Sequence, residues 1–243
     1  MARAASGRVA RDVARVPGGK AGAAVDRSAR AFVREAVKIE VSAAVAFEAA
    51  LAGPIDKVER LIRTRAKDDP QALLDAATFA QIRAWHSEAV AEAVDGWAWW
   101  HWQILVESAR TVRNEMRWAE KASADGYAGI SGEVEGPVML HAVDLNAAAV
   151  DRVQGMAGRA HEDLVTGLRR QVMLAKEAEE GVDMLVSRVL SREPVRAHGI
   201  TGRGVWWRTA YPLGAALTTS SVQAANDLRT SAMERWNETA ASR

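Results

Sequence analysis

The chain has 243 residues, enough to bury one or two sizeable cores. Its formal net charge of +1 gives no global pull toward nucleic acid or acidic partners. The lack of cysteine excludes disulfides, thiolate nucleophiles and cysteine-ligated metal sites, and fits an intracellular origin.

The charge is unevenly spread. Residues 1–34 carry eight Lys and Arg against Asp12 and Asp26, so the remainder is mildly acidic. Residues 1–25 hold Gly7, Pro17, Gly18, Gly19 and Gly22 among Arg3, Arg8, Arg11, Arg15 and Lys20, and are expected to form a flexible basic arm suited to DNA or an acidic partner surface. Their Arg-, Ala- and Ser-rich, acid-poor start also has the composition of a transit peptide. No apolar stretch of the secretory kind follows.

Alanine is abundant and prolines number only six, which favours helix throughout. A first helix is expected from Asp26 as N-cap to Ala52, stopped by Gly53–Pro54. A second spans about Ile55–Lys67. Asp69 then caps a third segment with Pro70 at its first position, and no proline follows as far as Asp125–Gly126. That segment is either one helix of about 80 Å or an antiparallel hairpin turning at Asp95–Gly96. The pattern favours the hairpin, because single helices of that length are uncommon in compact domains. Residues 126–140, with four glycines and Pro137, read as a linker between a helical region at 26–125 and a second at 141–243. In the second region Asp144 caps a helix ending at Gly181. Its apolar stripe is Val150, Val153, Ala157, Ala160, Leu164, Leu168 and Val172, interrupted by Gly155, Gly158 and Gly167, where a neighbour comes close or the helix breaks. A short helix at Asp183–Ser191 and a loop at Arg192–Gly204 precede helical sequence from Val205, interrupted at Pro212 and Gly214. The expected fold is mainly α: an elongated set of helical bundles or hairpins with a basic arm and little or no sheet. The longest uncharged run, Thr209–Asn226, is too polar to span a membrane, so a soluble or assembly-bound protein is expected.

Four of the nine tryptophans fall in GWAWWHWQ, Gly96–Gln103. A helical stripe of Ala98, Trp102, Leu105, Ala109, Val112, Met116 and Ala119 places Trp102, and Trp99 at its edge, in the core. Trp100 then lies on the polar stripe and Trp97 between the two, so these two indoles are the expected partner surface.

No catalytic pattern stands out. The histidines, His86, His101, His141, His161 and His198, form neither HExxH nor a Glu-x-x-His pair. His161-Glu162-Asp163 diverge around a helix, Glu88 and Glu92 suit a solvated face, and Gly202-x-Gly204 is too short for a dinucleotide loop. No cofactor, metal or enzymatic activity is expected.

Two C-terminal stretches carry more. Residues 198–208 read HGITGRGVWWR and residues 228–237 read LRTSAMERWN. The region at about 141–240 resembles the Mu-F-like phage head morphogenesis, or minor capsid protein, family. Trp207, Arg208 and Thr209 match a W-R-T element. Arg229, Thr230 and Ser231 match an R-T-[E/S] triplet, and Trp236 with Asn237 matches an aromatic–Asn pair. The distance from Trp207 to Leu228 exceeds the family pattern, a second register puts Thr219 and Asn226 on the Thr and Asn positions, and the family's small β-containing segment is not seen after this motif. The resemblance implies a minor head protein in the capsid interior or at the portal of a tailed phage, present in host cytoplasm during assembly. Its partners would be portal or capsid protein or a second copy, with packaged DNA reached by the arm and no membrane. The alternative is another helical virion or scaffold-type component, and the least favoured is an enzyme or toxin-like effector. Read as physics, Arg229, Ala232, Trp236 and Ala240 fall near one helix face, and Arg229 and Asn237 are placed to anchor that helix to a neighbour.

Overall fold

The computed structural model describes residues 20–122, 129–193, 195–197 and 200–242. Among them are six α-helices: α1 Lys20–Ala52, α2 Ile55–Arg65, α3 Ala76–Ala122, α4 Ile130–Glu177, α5 Val182–Leu190 and α6 Val205–Ala241. A 3-10 turn at Pro70–Leu74 precedes α3, and an antiparallel hairpin of β1 Val195–Ala197 and β2 Ile200–Gly202 precedes α6, with Arg196 opposite Thr201. The mainly helical class with little sheet is therefore correct.

Several boundaries follow from local chemistry. Gly53–Pro54 separates α1 from α2, with Pro54 at the N-cap of α2. Asp69 caps the 3-10 turn by accepting from the Gln71 amide at 2.9 Å, rather than opening the long helix. That role falls to Asp75, whose carboxylate accepts from the Thr78 amide and hydroxyl at 3.1 and 3.2 Å. These bonds hold its carboxyl below the usual range. The amide and hydroxyl of Ser131, in the first turn of α4, both donate to the Glu120 carboxylate, which places an anion at a helix N-terminus. Glu179, in the left-handed region at φ 50°, ends α4 while the Glu180 amide donates back to the Ala175 carbonyl at 2.9 Å.

Other boundaries differ from expectation. Helix α1 begins at Lys20, not Asp26, so part of the expected arm is helical; Arg3, Arg8, Arg11 and Arg15 lie outside the described residues. Helix α3 is one helix of 47 residues, about 70 Å long, rather than a hairpin. The Gly96 penalty of roughly 1 kcal/mol is offset by burial of Val94 and Trp97 on either side of it. Helix α4 begins at Ile130, so most of the expected linker is helical and Asp144 lies mid-helix. Pro212 and Gly214 do not interrupt α6. Pro212, in the helix interior, leaves the i−4 carbonyl without its N–H donor and crowds it with the ring, yet the helix continues.

The chain divides into two compact units, the first drawing on α1, α3, α4 and α6 and the second on all six helices. One comprises Met1–Lys38, Leu105–Val143 and Ala225–Arg243. Its buried residues include Phe32, Leu105, Val112, Met116, Val134, Leu228 and Trp236. The other comprises Ile39–Ile104 and Asp144–Ala224 and holds a continuous core of Leu51, Ile62, Ile82, Val153, Leu164, Leu168, Val172, Leu185, Trp206 and Leu213, among others. The predicted α4 stripe lies in this core from Val153 to Val172, with Val150 and Ala157 packed at its edge. A buried ion pair closes one part of it: Arg188, 2% exposed, is gripped by both carboxylate oxygens of Glu180 and bonds Gln171 at 3.2 Å.

Candidate functional site

The tryptophan run sits on α3 with a phase other than the expected one. Trp97 is 3% exposed and Trp99 56% exposed, while Trp100 and Trp102 are half-buried. Trp97 is therefore core rather than partner surface, and Trp99 and Trp102 are not the core pair. The buried line on α3 runs Ile82, His86, Val90, Ala93, Trp97, His101 and Ile104 in one unit, then Ser108, Thr111 and Glu115 in the other, at helical spacing. Leu105, Ala109, Val112 and Met116 are buried as expected.

His86, Trp97, His101, Ser108 and Glu115 on this line each meet α6. The Trp97 Nε1–H donates to the Leu217 carbonyl and to Ser221 Oγ, both at 3.2 Å, and its ring stacks on His101. His101 Nδ1 lies 3.0 Å from Ser221 Oγ, and burial pushes the imidazole down to about 4. His86, fully buried, packs edge-on against Trp206 with Nε2 3.5 Å from Thr209 Oγ1. It too is pushed down to about 4, by burial first and then by His161. His161 is lowered by burial and by Arg83, whose guanidinium donates to its Nε2 at 3.3 Å. In the other unit, Ser108 Oγ donates to the Ala225 carbonyl at 3.1 Å. There one Arg229 nitrogen donates to both Glu115 oxygens at 2.9 and 3.0 Å, while the guanidinium lies over the Phe32 ring. Burial raises the Glu115 carboxyl against the pull of Arg229.

The motif residues split by face. Trp207 is buried and donates to the Leu190 carbonyl at 3.0 Å, and buried Thr209 bonds back to the Val205 and Trp206 carbonyls. Arg229 anchors α6 as expected, and Trp236 is buried. Arg208, Thr230 and Asn237 are exposed and Ser231 half-buried, so Asn237 is not the second anchor. Lys20 is the first residue of α1.

The second unit also contains a cavity of about 240 Å³ walled by α1, α3, α6 and the segment joining α5 to α6. Trp97 and Trp100 line it from α3, Trp207 and Tyr211 from α6, and Glu40 and Phe47 from α1. Arg192 pairs with Glu48 and lies 5.7 Å from the Trp207 centroid; Arg203 lies 4.8 Å from that of Tyr211. Burial raises the Glu40 carboxyl. Sequence reasoning missed this site because its walls come from four distant segments: Trp97, Trp100 and Trp207 stood out, but nothing in the sequence brought them together.

Among the described residues no three or more metal-ligating side chains gather, and no helix is long and apolar enough to cross a membrane. No family model, curated protein or solved structure matches this chain.

Proposed function

We propose that this protein works by binding rather than catalysis, as a minor head protein of a tailed phage or phage-derived particle, acting at the portal or capsid interior in head assembly and DNA packaging or ejection. The observation that carries this reading is the pair of stretches HGITGRGVWWR and LRTSAMERWN, at residues 198–208 and 228–237, with their likeness to the head-morphogenesis pattern. How their side chains are used supports it. Trp207, Thr209, Arg229 and Trp236 hold α6 in place, while Arg208, Thr230 and Asn237 stay exposed on the same helix. With the inward set fixing the helix, the outward polar set is left free to meet a partner.

On this reading the outward set meets portal protein, capsid protein or a second copy. The basic residues Arg3, Arg8, Arg11, Arg15 and Lys20 touch packaged DNA, with an affinity that falls steeply with salt because phosphate contacts release counterions. The test is quantitative mass spectrometry of purified DNA-filled particles from the source strain, alongside their precursors. The expected result is a few to a few tens of copies, on the order of a portal ring's complement. Presence in precursors alone would assign a scaffold instead, and absence from both would overturn the reading.

A further inference from the structure

The cavity of the second unit combines three properties. Four aromatic side chains, Trp97, Trp100, Trp207 and Tyr211, are among those that line it. At about 240 Å³ it has room for roughly eight waters' share of liquid volume, the size of a small organic molecule. One of its two lining carboxylates makes no ion pair among the described residues. Glu48 is neutralised by Arg192, whereas Glu40 is half-buried and has no ion pair among the described residues. A partly desolvated carboxylate with no cation is costly, and among the described residues this one makes no hydrogen bond or ion pair. Aromatic faces attract cations through the ring quadrupole, and here two arginines already rest on two of the rings.

We propose that this cavity is a binding site for a small organic ammonium ion with a compact apolar body, its charge set against Glu40 and its body against the tryptophan faces. The recognition chemistry is that of aromatic cages for alkylammonium groups, with a carboxylate added on one wall. Arg203 is the opposing element. It is exposed, stacks on Tyr211 and makes no ion pair with Glu40, so the ligand competes with it rather than replacing a bond. The two indoles on α3 answer for the ligand's body: Trp100 is half-buried at the wall, and Trp97 is fixed behind it by Leu217 and Ser221.

The experiment is a titration of the full chain with choline, followed by calorimetry and tryptophan fluorescence. Neohexanol, the uncharged carbon isostere of choline, is titrated in parallel. Saturable choline binding is expected, with neohexanol at least roughly tenfold weaker. Glu40→Gln should reduce choline affinity by a similar factor and leave neohexanol unchanged. A thermal melt of Glu40→Gln close to that of the parent shows that the change is not unfolding. Arg203→Gln should bind choline as tightly or more tightly, since it removes a competing cation. Equal binding of choline and neohexanol would overturn the proposal in favour of a merely apolar cavity. Absence of choline binding, indifference to Glu40→Gln, or loss of binding in Arg203→Gln would each overturn it as well. None of these outcomes bears on particle incorporation.

Discussion

Trp97 and Trp102 are five positions apart on one helix and do different work. Trp97 is 3% exposed and bonds through its ring nitrogen, so Trp97→Ala should destabilise by about 3–5 kcal/mol, the range for large aromatic truncations in a core. Trp102 is half-buried, and Trp102→Ala should cost about 1–2 kcal/mol. Urea denaturation of the two variants orders them; a larger loss for Trp102 would contradict the helix phase. The sequence-based phase of α3 went astray for a physical reason. It was set on the apolar Trp102 and begun at Gly96, whereas the buried line enters from Ile82 and passes through His86, His101, Ser108 and Glu115. Those polar groups resemble a solvated face until their α6 partners are known. Extending the 3.6-residue period from Ile82 through Asp95–Gly96 finds Trp97 without the structure.

The same histidines make stability depend on acidity. His86 and His101 are held at about 4, below the ordinary value near 6.5, by burial among Trp206, Thr209 and His161 and among Trp97 and Ser221. Between those values the unfolded chain binds protons that the folded chain refuses. Their contribution is therefore complete above about pH 6.5 and is lost as the pH falls toward about 4. The loss should be on the order of 3 kcal/mol per histidine. Glu115 acts with the opposite sign, since its raised carboxyl binds protons more readily when folded. Urea midpoints measured from about pH 7 to about pH 4.5 should fall, and His86→Gln with His101→Asn should flatten the slope. An unchanged slope in the double variant would remove the histidines from the account.

At the scale of elements, glycines separate into two kinds. At Gly155 and Gly158 an added Cβ would meet nothing within 4 Å, so neither marks a close approach or a break in α4. Gly158→Ala should stabilise by up to about 1 kcal/mol. At Gly204, before α6, a Cβ would come within 2.6 Å of the Val189 carbonyl oxygen and 2.7 Å of the Ser191 nitrogen. Both are backbone, so Gly204→Ala should lower the melting temperature sharply. Gly167 is intermediate, because its neighbour is the Val205 side chain at 2.8 Å. Thermal melts of the single variants test the ordering. Helix type and the α4 stripe were legible because the apolar positions there recur at spacings of three and four, and Gly53–Pro54 marked a boundary by an equally local signal. Helix continuity was less so: Gly96, Pro137 and Pro212 carry breaker signals that burial on adjacent turns overrides.

Over the whole molecule, α6 is the common partner. In one unit it bonds Trp97 and one ring nitrogen of His101 and reaches one of His86, and in the other it bonds Ser108 and Glu115. Deleting the chain after Gly204 should therefore abolish cooperative thermal unfolding, not merely lower its midpoint, because buried donors and acceptors on α3 lose their partners. Circular dichroism followed through a melt distinguishes the two. The cavity was the least legible feature, because Glu40, Trp100, Trp207 and Tyr211 meet only after all four wall segments are in place.

The dependence of α3 on α6 also has a cost during synthesis. Trp97 and His101 find their bonds at Leu217 and Ser221, 120 positions or more downstream. At a ribosomal rate of 5–20 residues per second, that interval lasts roughly 6–24 s. Throughout it the nascent chain presents an indole-rich helix face with its partner still unmade. The emerging protein is then a natural client for a chaperone, and it completes this core only once α6 has left the ribosome.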